Sequence, residues 1–189
     1  VIRDPAGEAC AIVDPVLDYD PKAARTATRS ADRVLQHLRS EGLRVQWILE
    51  THVHADHLSA AAYLKEALGA PVAIGARVTE VQRHFAPLFD LGPGFPVDGS
   101  QFDRLLQDGD RLALGALEIE VMATPGHTAA CVSCRCGDCV FVGDTLFMPD
   151  YGAARTDFPG GDARTLYRSI RRLLALPADV RLFTGHDYR

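Results

Sequence analysis

The sequence predicts one α/β domain in which at least partly antiparallel sheets are covered by helices. Three observations point there. Amphipathic helical segments alternate with short β-like runs, two pairs of β-like runs read as hairpins, and the composition, 47% apolar and 24% charged over 189 residues, is that of a globular chain. The length suits a single domain on the prior of roughly 100–200 residues each, so residues 1–189 are read as one domain, expected to be trimmed at both ends.

The elements follow in order. Ala11-Ile12-Val13 is a short apolar run stopped by Asp14-Pro15. Ser30 is placed to cap a helix carrying Val34, Leu35 and Leu38 on one face, and Gly42 can end it. Residues 45–49 read as a buried strand, 60–68 as a helix stopped by Gly69, 72–74 as a strand and 78–85 as a helix. From 88 to 109 the chain is irregular and rich in Gly, Pro and Asp, a surface excursion that could line a site. Over 112–121 a hairpin is expected, because Leu117, Ile119 and Val121 alternate with Glu118 and Glu120, the period of a half-buried strand. A second hairpin joins 131–134 to 140–142 through Gly137-Asp138; residues 165–176 form an amphipathic helix, and 181–184 a last short strand.

Composition narrows the classes of function. Acidic residues outnumber basic ones 25 to 20, for a net charge of −5, which argues against a nucleic-acid partner. No apolar stretch approaches the roughly 18 residues of a membrane span. The chain opens at Val1 with no charged-then-apolar leader, so no targeting segment is expected. Four of the five cysteines, Cys131, Cys134, Cys136 and Cys139, crowd into one stretch, unlike a spread disulfide framework. Reduced thiols and a cytoplasmic location are the expectation. A zinc knuckle is disfavoured because only Arg135 separates the two pairs, where structural sites usually place about a dozen residues or more. A cross-hairpin Cys136–Cys139 disulfide is no better supported.

Chemistry concentrates in the histidines. Three of the seven fall in Thr51-His52-Val53-His54-Ala55-Asp56-His57, directly after a strand and before a helix. Alternate residues of an extended segment face one side, so His52 and His54 can present two imidazoles to one point while Asp56 and His57 face a second. Such a density of imidazole and carboxylate is what zinc or iron requires. His127 in Thr124-Pro125-Gly126-His127-Thr128, Asp144 in Gly143-Asp144-Thr145 and His186 in Gly185-His186-Asp187 repeat the arrangement of a strand followed by a ligand. Each is weak alone, and Asp144 could be a turn or cap residue; four strand ends delivering such groups are jointly strong. His37 and His84 read as surface or packing residues.

The set His52-x-His54-x-Asp56-His57, His127, Asp144, His186 resembles the metallo-β-lactamase superfamily in order and spacing. The resemblance implies a four-layer αββα sandwich with a metal cleft at one edge of its two sheets. In two-metal members, His52, His54 and His127 would hold the first ion, Asp56, His57 and His186 the second, and Asp144 would bridge them. Asp144 stands where true β-lactamases commonly carry a cysteine ligand, and no nuclease domain is inserted.

Within the superfamily the chain is most similar to the persulfide dioxygenase branch, the sulfur dioxygenases of the ethylmalonic encephalopathy protein type. The likeness rests on Ile12-Val13-Asp14-Pro15-Val16, the histidine motif, Pro125-Gly126-His127-Thr128, Gly143-Asp144, Ala154-Arg155-Thr156-Asp157-Phe158 and His186-Asp187-Tyr188. It implies oxidation of glutathione persulfide by O₂ to sulfite and glutathione at one Fe(II) per chain. The iron would be held by His52, His127 and Asp144, with His54, Asp56, His57 and His186 outside the first shell. It also implies that Arg155 and Tyr188 approach the glutathione carboxylates, although Arg155 could equally pair with Asp157 to hold its own loop. The expected partners are therefore a small-molecule substrate and O₂, with a homodimer left open and neither nucleic acid nor membrane. Ala153-Ala154 in place of Cys-Gly, the cysteine-rich hairpin and the long 85–108 excursion depart from the branch and leave the exact thiol open. Two other readings stand beside this one: a glyoxalase II-like hydrolase of a glutathione thioester with two Zn(II) per chain, and a non-catalytic metal-bearing module or sulfur sensor.

Overall fold

A computed structural model describes residues 1–54 and 56–188; Ala55, within the histidine motif, and Arg189 lie outside the described residues. Two five-stranded sheets carry the chain. The first takes strands β1 (Ile2–Arg3), β2 (Ala9–Val13), β5 (Arg44–Glu50), β6 (Val72–Gly75) and β7 (Arg104–Leu106), in that order across the sheet. Its central neighbours β2, β5, β6 and β7 run parallel, and β1 pairs antiparallel with β2. The second has the order β12 (Arg181–Thr184), β11 (Cys139–Gly143), β10 (Val132–Cys136), β9 (Leu117–Ala123), β8 (Arg111–Leu114); only β11 and β12 run parallel. A small hairpin, β3 (Asp18–Asp20) with β4 (Arg25–Ala27), stands apart.

The layers follow from the two-residue alternation of side chains. On β2, Ala11 points into a core shared by both sheets, with Leu49, Ala73, Leu112, Ile119, Val121 and Cys134. Its neighbours Cys10 and Ile12 point the other way, onto helices α1 (Arg29–Ser40) and α2 (Ala61–Leu68) through Leu35, Leu38 and Leu64. On the far side, Met122, Val140 and Val142 meet Leu173 of helix α4 (Ala163–Leu174). This is the αββα sandwich. Helix α3 (Val78–Leu88) packs Val78 and Val81 on Ile74 and Ala130, with Phe85 and Phe102 beside them. Among the described residues no helix is long and apolar enough to cross a membrane.

Two local expectations change. Thr28, not Ser30, is the residue before α1, because Ser30 spends its N–H and hydroxyl on Asp18, at 2.8 and 2.7 Å. The 88–109 excursion contains β7, too short and too mixed in sequence to show a period. The second hairpin turns at Gly137-Asp138 as expected and sets Cys136 opposite Cys139. All five cysteines are free.

Candidate metal centre

Four strands end on one rim and hand over to the residues of the site. After β5 come Thr51, His52, His54, Asp56 and His57; after β9, His127; after β11, Asp144; after β12, His186. His52, His127 and Asp144 are 1, 5 and 6% exposed, and their ligand atoms lie within 4.8 Å of one another. Asp144 Oδ2 is 3.7 Å from His52 Nε2 and 3.8 Å from His127 Nε2, too far for hydrogen bonds. His52 Nε2 and Asp144 Oδ1 are buried with no hydrogen-bond partner. Buried polar atoms without partners are costly; His52 Nε2, His127 Nε2 and Asp144 Oδ2 lie close enough to share a cation bound by two imidazoles and a carboxylate, while the unpartnered Asp144 Oδ1 faces His186.

The far side of each ring fixes the proton. The Thr51 hydroxyl donates to Asp14 Oδ2 at 2.7 Å, so its lone pair accepts from His52 Nδ1 at 3.0 Å and leaves Nε2 bare. His127 Nδ1 donates to the Arg155 carbonyl at 2.8 Å, which fixes the ring with its Nε2 on the Asp144 side. Such outer hydrogen bonds orient metal-binding imidazoles and set their tautomer. Burial, followed by the neighbouring histidines, pushes His52 well below its ordinary value of 6.5, so the ring stays neutral. Burial raises the Asp144 carboxyl, against the pull of His186 and His127.

Glycines let the strand ends close. Gly143 has φ +51°, and a Cβ there would stand 2.3 Å from Thr51 Oγ1; at Gly185 a Cβ would stand 2.5 Å from Asp144 Oδ1.

His54 is engaged elsewhere. Its Nε2 lies 3.3 Å from Glu50 Oε2 and 3.4 Å from Asp14 Oδ1, charge contacts rather than aligned hydrogen bonds. Burial opposes a charge on this ring, but the two carboxylates outweigh it and raise His54 to about 10. His54, Asp56 and His57 can also offer three atoms within 4.8 Å, and His186 Nε2 reaches Asp56 Oδ2 at 3.2 Å and Asp144 Oδ1 at 3.5 Å. The structure thus brings all seven residues of the motif set to one rim, with the His54 ring 4.0 Å and the His127 ring 5.2 Å from that of His52. Arg155 is forked onto Asp157 by two 2.6 Å bonds and lies 4.7 Å over the Phe158 ring; Asp157 is held down to about 2 by that pair. Tyr188 is exposed and stacks on His186 and Tyr151 at 5.1 and 4.2 Å. His37 and His84 are exposed, as expected.

Sequence reasoning gave no role to Asp14, Glu50 or Thr51. One clue was present: Asp14 is a carboxylate at the end of a strand, and it takes φ +46° to aim at Thr51. Among the described residues no group of three potential metal ligands includes a cysteine.

An αββα sandwich with a polyhistidine cleft at its rim defines a metal-dependent enzyme class. Residues 1–186 match the metallo-β-lactamase superfamily model, and the chain belongs to that family. Over its whole length it is 58% identical to a probable metallo-hydrolase of Burkholderia pseudomallei, of which it covers 68%. It is 48% identical to "Glyoxylase B2" of Dictyostelium discoideum, covering 65%, and 30% identical to the human mitochondrial persulfide dioxygenase ETHE1, covering 63%. The crystal structure of ETHE1 from Myxococcus xanthus superposes with a TM-score of 0.76 at 33% identity, over all of this chain and 69% of that one. The chain spans between 44 and 68% of the length of the first curated relatives.

Proposed function

We propose that the protein is a sulfur dioxygenase that oxidises glutathione persulfide with O₂ at one ferrous ion held by His52, His127 and Asp144. The observation that carries this reading is the buried trio of His52, His127 and Asp144. Two imidazoles and one carboxylate offer ligand atoms within 4.8 Å of one another, while His54 lies against Asp14 and Glu50. Two histidines and one carboxylate are the donor set of non-haem iron oxygenases. The likeness to the human and Myxococcus xanthus proteins supports the same branch.

When bound, ferrous iron supplies the O₂ chemistry that zinc cannot. The reaction balances as RSSH + O₂ + H₂O → RSH + sulfite + 2 H⁺. The S–S bond breaks and the outer sulfur forms three bonds to oxygen. Its four electrons reduce O₂, and the inner sulfur leaves as the thiol. The chain's own groups prepare this. Thr51 holds the neutral His52 with its Nε2 bare, and the Arg155 carbonyl orients the His127 ring. His186, between Asp56 and Asp144, is placed to accept a proton released at the rim. Arg155 can fork onto a glutathione carboxylate only by giving up Asp157, and Tyr188 offers an exposed hydroxyl beside His186. The free cysteines accord with a reducing, cytoplasmic setting.

A second reading, a zinc hydrolase of a glutathione thioester, is favoured by the His54–Asp56–His57 group, which could hold a second ion, and by the similarity to the Dictyostelium protein. Protein purified without air should contain one iron per chain and convert glutathione persulfide to sulfite with matching O₂ uptake, and His127→Ala should abolish this. Two zinc ions per chain and thioester hydrolysis without O₂ uptake would install the second reading instead.

A further inference from the structure

Beside the metal centre lies a cavity of about 520 Å³ that the reaction above leaves without an occupant. Its walls are α3, the loop after it, and Phe158; its inner end is formed by His54 and His127 of the site itself. Phe85, Phe89, Phe95, Phe102 and Phe158 all line it, and neither a lysine nor an arginine does. The two glutamines on the wall are spent on the loop. Gln82 Nε2 donates to Gln101 Oε1 at 2.8 Å, Gln82 Oε1 accepts from the Gly99 N–H at 3.0 Å, and Gln101 Nε2 donates to the Pro96 carbonyl at 2.7 Å. Thr128 turns its hydroxyl to Cys131 Sγ at 3.1 Å.

A volume of this size accepts a small organic molecule, but not comfortably the peptide of glutathione. Its two carboxylates would leave water for a lining without cations, where Arg155, over the Phe158 ring, is already forked onto Asp157, and an unpaired buried charge is strongly disfavoured. An alkyl or aryl group, by contrast, gains from every methylene it buries there. The cavity opens onto the point where the substrate sulfur must sit, so what fills it must be joined to that sulfur. We infer that this cavity seats the carbon body of the substrate, and that apolar hydropersulfides, alkyl or aryl, are oxidised more efficiently than glutathione persulfide, by the same balanced reaction.

This inference rests on the dioxygenase reading, and its test separates the two. Iron-loaded protein is given benzyl persulfide or glutathione persulfide, and kcat/KM is taken from O₂ uptake. Binding of benzyl mercaptan and of glutathione to the same protein is measured by calorimetry without air. The expected result is a kcat/KM for benzyl persulfide at least about tenfold higher, the return on burying two or so methylene equivalents. Benzyl mercaptan should also bind more tightly than glutathione. Ala86→Phe, which fills the cavity, should weaken benzyl mercaptan about tenfold or more at unchanged iron content. Leu91→Asp, at a position 42% exposed and therefore harmless to folding, should do the same by placing a carboxylate at the mouth. Glutathione persulfide oxidised as well as or better than benzyl persulfide, with benzyl mercaptan indifferent to both variants, would overturn the inference and leave the dioxygenase standing. No oxidation of either persulfide, with benzyl mercaptan bound and displaced by both variants, would overturn the dioxygenase and the preference built on it, leaving only an apolar ligand site.

Discussion

Thr51 Oγ1 stands 3.0 Å from His52 Nδ1, and because its only proton goes to Asp14 it can serve that nitrogen only as an acceptor. The consequence is a ring whose inner nitrogen is bare before any ion arrives. Thr51→Val keeps the shape and removes the acceptor. Metal affinity should fall about 10- to 100-fold, the usual cost of losing an outer-shell partner. Competition with a chelator measures it, with circular dichroism to show that the fold survives. Unchanged affinity would mean that Thr51 does not set the tautomer.

Gly143→Ala drives a methyl group into Thr51, whose Oγ1 and Cβ would stand 2.3 and 2.9 Å away, from a backbone at φ +51°. A destabilisation of about 1–3 kcal/mol is expected from the strain alone, together with weaker metal binding. Denaturant unfolding and the same chelator titration read both effects, which should appear together.

Glu50→Gln removes one of the carboxylates that hold His54 at about 10. The direction follows from that cause: the folded pKa drops, so more of the ring is neutral and able to bind an ion at pH 7. Under excess zinc the variant should move from one ion per chain towards two, by elemental analysis. A count that stays at one would show that Glu50 does not keep His54 from a second ion.

In the metal-free protein His52 and His54 pull stability in opposite directions on the two sides of pH 6.5. His52 is buried neutral with a folded pKa below 6.5, so below that pH the unfolded chain binds the proton more readily and acid destabilises. His54 works in the other direction: its raised pKa adds stability that is complete below 6.5 and is lost as the pH climbs towards about 10. Thermal melts in chelator across that range test both limbs. Adding the metal at 1,000 times its Kd should then stabilise the chain by about 4 kcal/mol.

Alkylation should mark Cys139 first. Burial raises the thiols of Cys131 to about 11 and Cys134 to about 12, leaving almost no thiolate at pH 8, whereas Cys139, raised too by partial burial and Asp138, is only half-buried and open to the reagent. Mass spectrometry after brief iodoacetamide treatment of the native protein gives the order. Early labelling of Cys134 would contradict the packing of β10 into the shared core.

What the sequence made legible was whatever carried its own period or its own chemistry. The alternation of Leu117, Ile119 and Val121 marked β9, the helical spacing of Val34, Leu35 and Leu38 marked α1, and the histidine motif marked the rim. What stayed hidden depends on distant parts of the chain meeting. Strand β7 has three residues and exists because it pairs with β6. Ser30 abandons its capping role because Asp18, twelve residues earlier, takes its hydroxyl. Glu50 looked like the end of a strand until the fold turned His54 back over it.

The division of the site between the sheets has a last consequence. His52, His54, Asp56 and His57 leave the first sheet, while His127, Asp144 and His186 leave the second, so neither half of the chain owns a complete coordination sphere. A cation held at this seam acts as a rivet between the layers, and its capture announces that the two halves have found each other in register.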